Sequence, residues 1–106
     1  MFARLLELTI KPEKKPELIK ALKNDVLPIV KKATGFLEMI PLDVQDEPTR
    51  FYVMSFWHDK RNAEQFHRDS YPKVQAIYEP FLTAPIVIRL CHVDETVTTR
   101  KLATAA

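Results

Sequence analysis

The run Arg50–His58, RFYVMSFWH, limits the possible folds more than any other segment of the chain. Aromatic and β-branched residues fill it, which reads as a strand. Successive side chains of a strand point to opposite faces. Phe51, Val53 and Trp57 therefore share one face, and Tyr52, Met54 and Phe56 share the other. Both sets are apolar. Such a strand needs cover on both sides, so the architecture around it must supply two layers.

The remaining segments supply one of them. Phe2–Ile10 reads as a strand bounded by Lys11-Pro12, with Phe2, Arg4, Leu6, Leu8 and Ile10 on one face. Leu18, Ile19, Leu22, Val26, Ile29, Val30 and Ala33 recur at spacings of three and four, which predicts a helix over 13–33. Pro28 removes a helical hydrogen bond to the Asn24 carbonyl, so a kink is expected near 24–28. Gly35, the single glycine, is placed to end that helix in a left-handed conformation. Phe36–Val44 reads as a strand in which Pro41 implies an edge position or a bulge. Asp59 is suited to cap a helix over 60–69, with Ala63 and Phe66 facing inward. Pro72 opens a further helix carrying Val74, Ile77, Tyr78 and Phe81, closed by Ala84-Pro85. Ile86–Val93 is the last strand.

The order is β-α-β-β-α-β. This is a ferredoxin-like α+β protomer, an antiparallel sheet with the helices on one face. Residues 1–94 make the domain, and 95–106 are a Thr/Ala-rich tail, loosely ordered or draped over a neighbour. With 106 residues there is room for one domain. The other sheet face is left bare, and its apolar side chains predict a homodimer packed sheet against sheet.

Several classes are excluded. A net charge of +2 gives no basic face for nucleic acid. One glycine cannot build a phosphate-binding loop. No apolar run approaches the length of a membrane span, and the start Met1-Phe2-Ala3-Arg4 is no signal peptide. A cytoplasmic protein is expected. Cys91 cannot form an internal disulfide, and it is expected to be a small buried hydrophobe in the last strand. No metal-ligand spacing is present.

Certain residues carry a resemblance. Thr34-Gly35-Phe36-Leu37 leads into a strand, Phe56-Trp57 closes the next, and the following helix carries Ala63, Phe66 and His67. Over about residues 2–94 the chain resembles the antibiotic biosynthesis monooxygenase (ABM) domain group of dimeric α+β barrels. The resemblance implies a homodimer with a pocket between sheet and helices. There, characterised members oxidise an aromatic or quinol-type substrate with molecular oxygen and neither metal nor flavin. A haem-degrading branch of the same superfamily requires an axial His where this chain has Ile77, which cannot ligate iron. That branch also requires an Asn on the first strand, where there is none. No cofactor is therefore expected.

Within that frame His67 is the candidate base, since an imidazole can take a proton from a phenol near neutral pH. The competing reading is a surface histidine beside Phe66. Trp57, Phe56, Tyr52 and Tyr71 are candidate pocket walls for a flat aromatic ligand, against a purely packing role. Arg4, Glu7, Glu38 and Arg89 lie within strands and are expected to be paired or at a solvated edge. Glu7 and Arg89 are placed to form an ion pair on the dimer-facing side, or to bind an anionic group of a substrate. The functional expectation is a cofactor-independent monooxygenase acting on a small electron-rich aromatic or quinol. The alternative is a non-catalytic dimeric module that binds a small ligand or supports an assembly.

Overall fold

The structure, a computed structural model, describes residues 1–99. Four strands form its sheet: β1 (Phe2–Thr9), β2 (Phe36–Asp43), β3 (Arg50–Trp57) and β4 (Val87–His92). Their order is β2-β3-β1-β4, and each neighbouring pair is antiparallel. This is the expected ferredoxin-like α+β fold. The proline-bearing strand β2 lies at an edge, where Pro41 interrupts no central ladder, and its register shifts between Phe36 and Glu38.

The two-residue repeat sorts the side chains. On β1 and β3, Phe2, Leu6, Leu8, Phe51, Val53 and Trp57 are buried. They meet Leu18, Leu22, Val26, Val30, Ala63, Phe66, Val74 and Tyr78 from the helices in one core. The register sets Ala3 opposite Phe56, Leu5 opposite Met54 and Glu7 opposite Tyr52 on the other face. No helix of the described residues covers that face, and Tyr52, Met54 and Phe56 are only half-buried there. Arg89 Nε donates to Glu7 Oε2 on this same open face.

The first helical region departs from a single helix. It comprises α1 (Lys15–Ala21), a π-turn over Leu22–Val26, and α2 (Leu27–Lys31). Pro28 explains the break. Without an N–H it cannot bond the Asn24 carbonyl, so the chain widens by one residue beforehand. The Leu27 amide then donates to the Leu22 carbonyl, five residues back. Ile19, placed inside by its spacing, is instead 49% exposed.

Gly35 has a left-handed φ of 80°, but it lies beyond the helix cap at Lys32. Its task is different from the expected one. It turns the chain into β2, its carbonyl accepts from the His58 amide at 2.8 Å, and Asn62 packs against it. A Cβ here would lie 2.6 Å from Asn62 Cβ and closer still to the carboxamide. Asn62 is fixed because Asp59 caps α3 (Lys60–Asp69) by accepting from the Asn62 amide at 3.0 Å.

After α3, Ser70 breaks the helix, and α4 (Tyr71–Tyr78) carries Pro72 in its first turn, where a missing N–H costs nothing. A 3-10 turn over Glu79–Phe81 ends it, ahead of Ala84-Pro85. Cys91 is exposed on the open face of β4, not buried. It pairs with Ala3, on the side that the helices do not reach. Residues 100–106 of the expected tail lie outside the described residues.

Gly35→Ala should therefore be costly. A left-handed L-residue plus the clash with Asn62 should lower stability by about 2 kcal/mol or more. The denaturant midpoint measures this, and an unchanged midpoint would mean that Asn62 moves aside freely.

Candidate functional site

Arg4 is the unusual residue on the inner sheet face. The alternation that buries Phe2 and Leu6 also buries Arg4, to 2% exposure. Its guanidinium carbon sits 5.0 Å from the Phe66 ring centroid and 4.8 Å from that of Tyr71. Cation–π contacts of this kind are worth up to about 2 kcal/mol each when desolvated. Burying an ion costs several kcal/mol, so the rings offset only part of the penalty. Burial accordingly lowers the Arg4 pKa, although the group stays charged. The sequence expectation was a paired or edge charge, and Arg4 is neither. Among the described residues no carboxylate pairs with it: the ion pairs there are Met1–Glu95, Lys15–Asp43, His58–Asp59 and Glu7–Arg89.

His67, one residue after Phe66 on α3, completes the cluster. Arg4 Nη2 lies 3.2 Å from His67 Nδ1. A guanidinium can only donate, so Nδ1 holds the lone pair and neutral His67 carries its proton on Nε2. The ring stacks on Tyr71 with centroids 5.0 Å apart and 16° between planes. Loss of hydration, then the Arg4 charge, lowers the His67 pKa. The Tyr71 hydroxyl is pushed the other way, chiefly by burial. At neutral pH the cluster is one cation, one neutral imidazole and one neutral phenol.

Arg4 and His67 both line a cavity of about 360 Å³ between α3 and β4. Phe2, Ala63, Ile88 and Leu90 form its apolar wall, with Glu64 and Arg68 alongside. It exists because α3 packs over β1 and β3, leaving the inner face of edge strand β4 partly bare. Leu90 is consequently 58% exposed. A second space, lined by His67, Tyr71, Gln75, Leu82 and Ile86, adjoins it through His67 and Ile88. His67 thus stands exposed between the two openings, with its Nδ1 edge turned toward Arg4. The interior beneath is filled. The void among Arg4, Ser55, Tyr71 and Tyr78 is about 20 Å³.

The residues singled out from the sequence separate by face. His67 and Tyr71 come together. Trp57 is fully buried behind them and donates from Nε1 to Ser55 Oγ at 3.0 Å. It supports the site through Phe66, whose ring centroid lies 4.9 Å away, and does not line the cavity beside His67. Phe56 and Tyr52 point to the open sheet face, because they alternate with Trp57, and so form no wall with His67. Arg4 was the residue missed. Its signal was its place on the same strand face as Phe2, Leu6, Leu8 and Ile10. Among the described residues no group of three His, Cys, Asp or Glu side chains could hold a metal ion. No helix of the described residues is long and apolar enough to cross a membrane.

This electrostatic picture predicts a titration. By NMR, His67 should populate the Nε2–H tautomer and titrate below 6.5, and Arg4→Met should raise that pKa without restoring the full solution value, since burial is the larger cause. The linked stability has a definite sign. The unfolded chain binds the His67 proton first, near pH ~6.5. Stability is therefore whole above that value and falls as pH drops toward the folded pKa. His67→Gln should flatten this acid loss, and equal slopes for the two proteins would contradict the lowered pKa.

Comparison with known proteins agrees with this fold. The family model described as antibiotic biosynthesis monooxygenase matches residues 1–79. Comparison with curated proteins gives no match. Solved structures share the fold at low identity. A protein of unknown function from Nitrosomonas europaea superposes with a TM-score of 0.74 at 18% identity, covering 94% of this chain and 92% of its own. A conserved protein from Methanosarcina mazei gives 0.72 at 18% identity, over 86% and 91% of the two chains. A Streptomyces coelicolor monooxygenase, from the gene ActVA-Orf6 and bound to nanaomycin D, gives 0.71 at 17%, over 85% and 84%.

Proposed function

The chain belongs to the antibiotic biosynthesis monooxygenase family, and we propose on that premise that it is a cofactor-independent monooxygenase of a small electron-rich aromatic or quinol. The observation that carries the reading is the cavity beside β4, apolar on one side and bordered by the Arg4–His67 pair on the other. Nanaomycin D in the Streptomyces coelicolor structure supports a small-molecule ligand for this fold.

In this reading a phenolic hydroxyl enters beside His67 and hands its proton to Nδ1, whose lone pair gives up the Arg4 hydrogen bond as the phenolate oxygen takes that donor in its place. Deprotonation raises the ring's electron density and eases electron transfer to oxygen. The ring then loses two hydrogens and gains one oxygen atom, and the second oxygen leaves as water. The substrate itself supplies the electrons, so the balance needs no external reductant. Tyr71, stacked on His67, holds the imidazole plane. The apolar wall shields the reactive intermediate.

A second reading has its own support. The interior behind Arg4 is filled, with a void of about 20 Å³ among Arg4, Ser55, Tyr71 and Tyr78. That favours a non-catalytic module that binds a small ligand at the β4 opening. Oxygen uptake with a panel of quinols separates the two. The enzyme reading expects uptake that His67→Ala abolishes while the fold survives. Its kcat/KM should decline in acid only below pH 6.5, since the base must be neutral and its pKa is lowered. Uptake that survives His67→Ala would remove His67 as the base, and no uptake on any quinol would leave the module.

We also propose that two copies pair through the open sheet face. Leu5, Ile40, Tyr52, Met54 and Phe56 supply apolar surface there, and Leu42 is 40% exposed. Met54→Asp, at the middle of that surface, should give a monomer by light scattering. A dimer that persists in this variant would place the interface elsewhere.

A further inference from the structure

The environment of Arg4 specifies a charge on the ligand. Its guanidinium has five N–H donors. Among the described residues one side-chain acceptor, His67 Nδ1, meets them, and Arg4 Nε is buried with no hydrogen-bond partner. The flanking rings of Phe66 and Tyr71 balance charge but accept hydrogen bonds poorly. A buried cation with an unmatched donor costs stability. Nothing in the packing requires it: the neighbouring inner-face positions on β1 are Phe2 and Leu6.

The surroundings state which ligand would offset the unpaired charge of Arg4. Arg4 borders the 360 Å³ cavity together with Arg68, while Glu64 is the only carboxylate among the described residues on its lining and forms no ion pair with Arg4. His67 contributes no charge when neutral. The cavity therefore carries a net positive charge behind an otherwise apolar wall. An inorganic anion would leave that wall unused, and a neutral arene would leave the cation unpaired. A flat aromatic bearing one ionised oxygen satisfies both. The planar guanidinium fork suits such an oxygen.

We propose that Arg4 is the counter-ion of the bound ligand, and that the cavity selects aromatic compounds whose acidic oxygen is bound as the anion. This rests on the cavity being the ligand site, as in the reading above, but not on turnover. Under that reading Arg4 would hold the phenolate while His67 takes its proton, which compensates for the weakened basicity of His67. Arg4 is then a substrate-binding residue that also sets specificity.

The test uses a coloured phenol too electron-poor to be a good oxygenation substrate. 4-Nitro-1-naphthol and its methyl ether are titrated into the full-length protein and followed by absorbance and calorimetry. The bound naphthol should ionise about one pH unit lower than in solution, a roughly ten-fold preference for the anion. The methyl ether, which cannot ionise, should bind about ten-fold more weakly than the anion. Arg4→Met should abolish both differences while its thermal midpoint stays at or above that of the unaltered protein. A naphthol that titrates at its solution value would overturn the proposal. So would an ether that binds equally well, a colour shift that survives Arg4→Met, or no binding of either probe. If Arg4→Met does not fold, the naphthol and ether on the unaltered protein decide alone. Anion-selective binding without oxygen uptake on any quinol would keep this proposal and defeat the oxygenase reading, so the two fail separately.

Discussion

A four-stranded sheet whose helices all lie on one side has two faces with different fates. The connections β1 to β2 and β3 to β4 both cross on the same side, so α1 to α4 can cover only that one. Each strand residue is committed to a face by its parity, and a slip of one position would exchange the two sets. This constraint places Trp57 in the core and Phe56, its neighbour, outside it. It also places Arg4 inside among apolar residues and Arg89 outside, where Glu7 pairs with it. The same one-sided cover leaves edge strand β4 short of a helix, and the cavity beside Ile88 and Leu90 is the result.

Much of this was legible in the sequence because it rests on periodicity and local chemistry. The element order, the edge position of Pro41 and the Asp59 cap follow from short-range rules, and the Glu7–Arg89 pair follows from the strand parity within the expected topology. What escaped depends on which elements meet. The spacing that puts Ile19 in a helical stripe cannot say that the π-turn at Leu22–Val26 rotates that stripe. The position of Gly35 in the sequence points to a helix terminator, a local role, whereas the contact that requires it comes from Asn62 on a later helix. Cys91 looked buried because its segment is apolar on both sides, yet it falls on the bare face.

The candidate site shows the same division. His67 and Tyr71 lie four apart, and across the break at Ser70 they still stack. The aromatic pair Phe56-Trp57 suggested one pocket wall, but adjacent strand residues cannot serve the same pocket. Arg4 was legible as an anomaly, a charge in an apolar stripe. Its meaning needed the third dimension: the rings of Phe66 and Tyr71 and the Nδ1 of His67 converge on it from elements far away in sequence.

Arg4 and His67 are best understood together. Neither is comfortable as an isolated group: burial, then the cation, lowers the imidazole's pKa, and burial lowers that of the cation. The neutral imidazole satisfies one guanidinium donor yet cannot neutralise the charge. In the proposed reading a phenolic ligand would resolve both at once: its oxygen, once anionic, would replace Nδ1 as acceptor of the guanidinium donor, and Nδ1 would take the proton. The imidazolium and guanidinium that result would repel one another strongly at a dielectric well below that of water, so the pair remains together only while the anion lies between them. On this view the unfavourable charge in the empty fold is what makes the site respond to an ionisable ring and not to any flat apolar molecule of similar size.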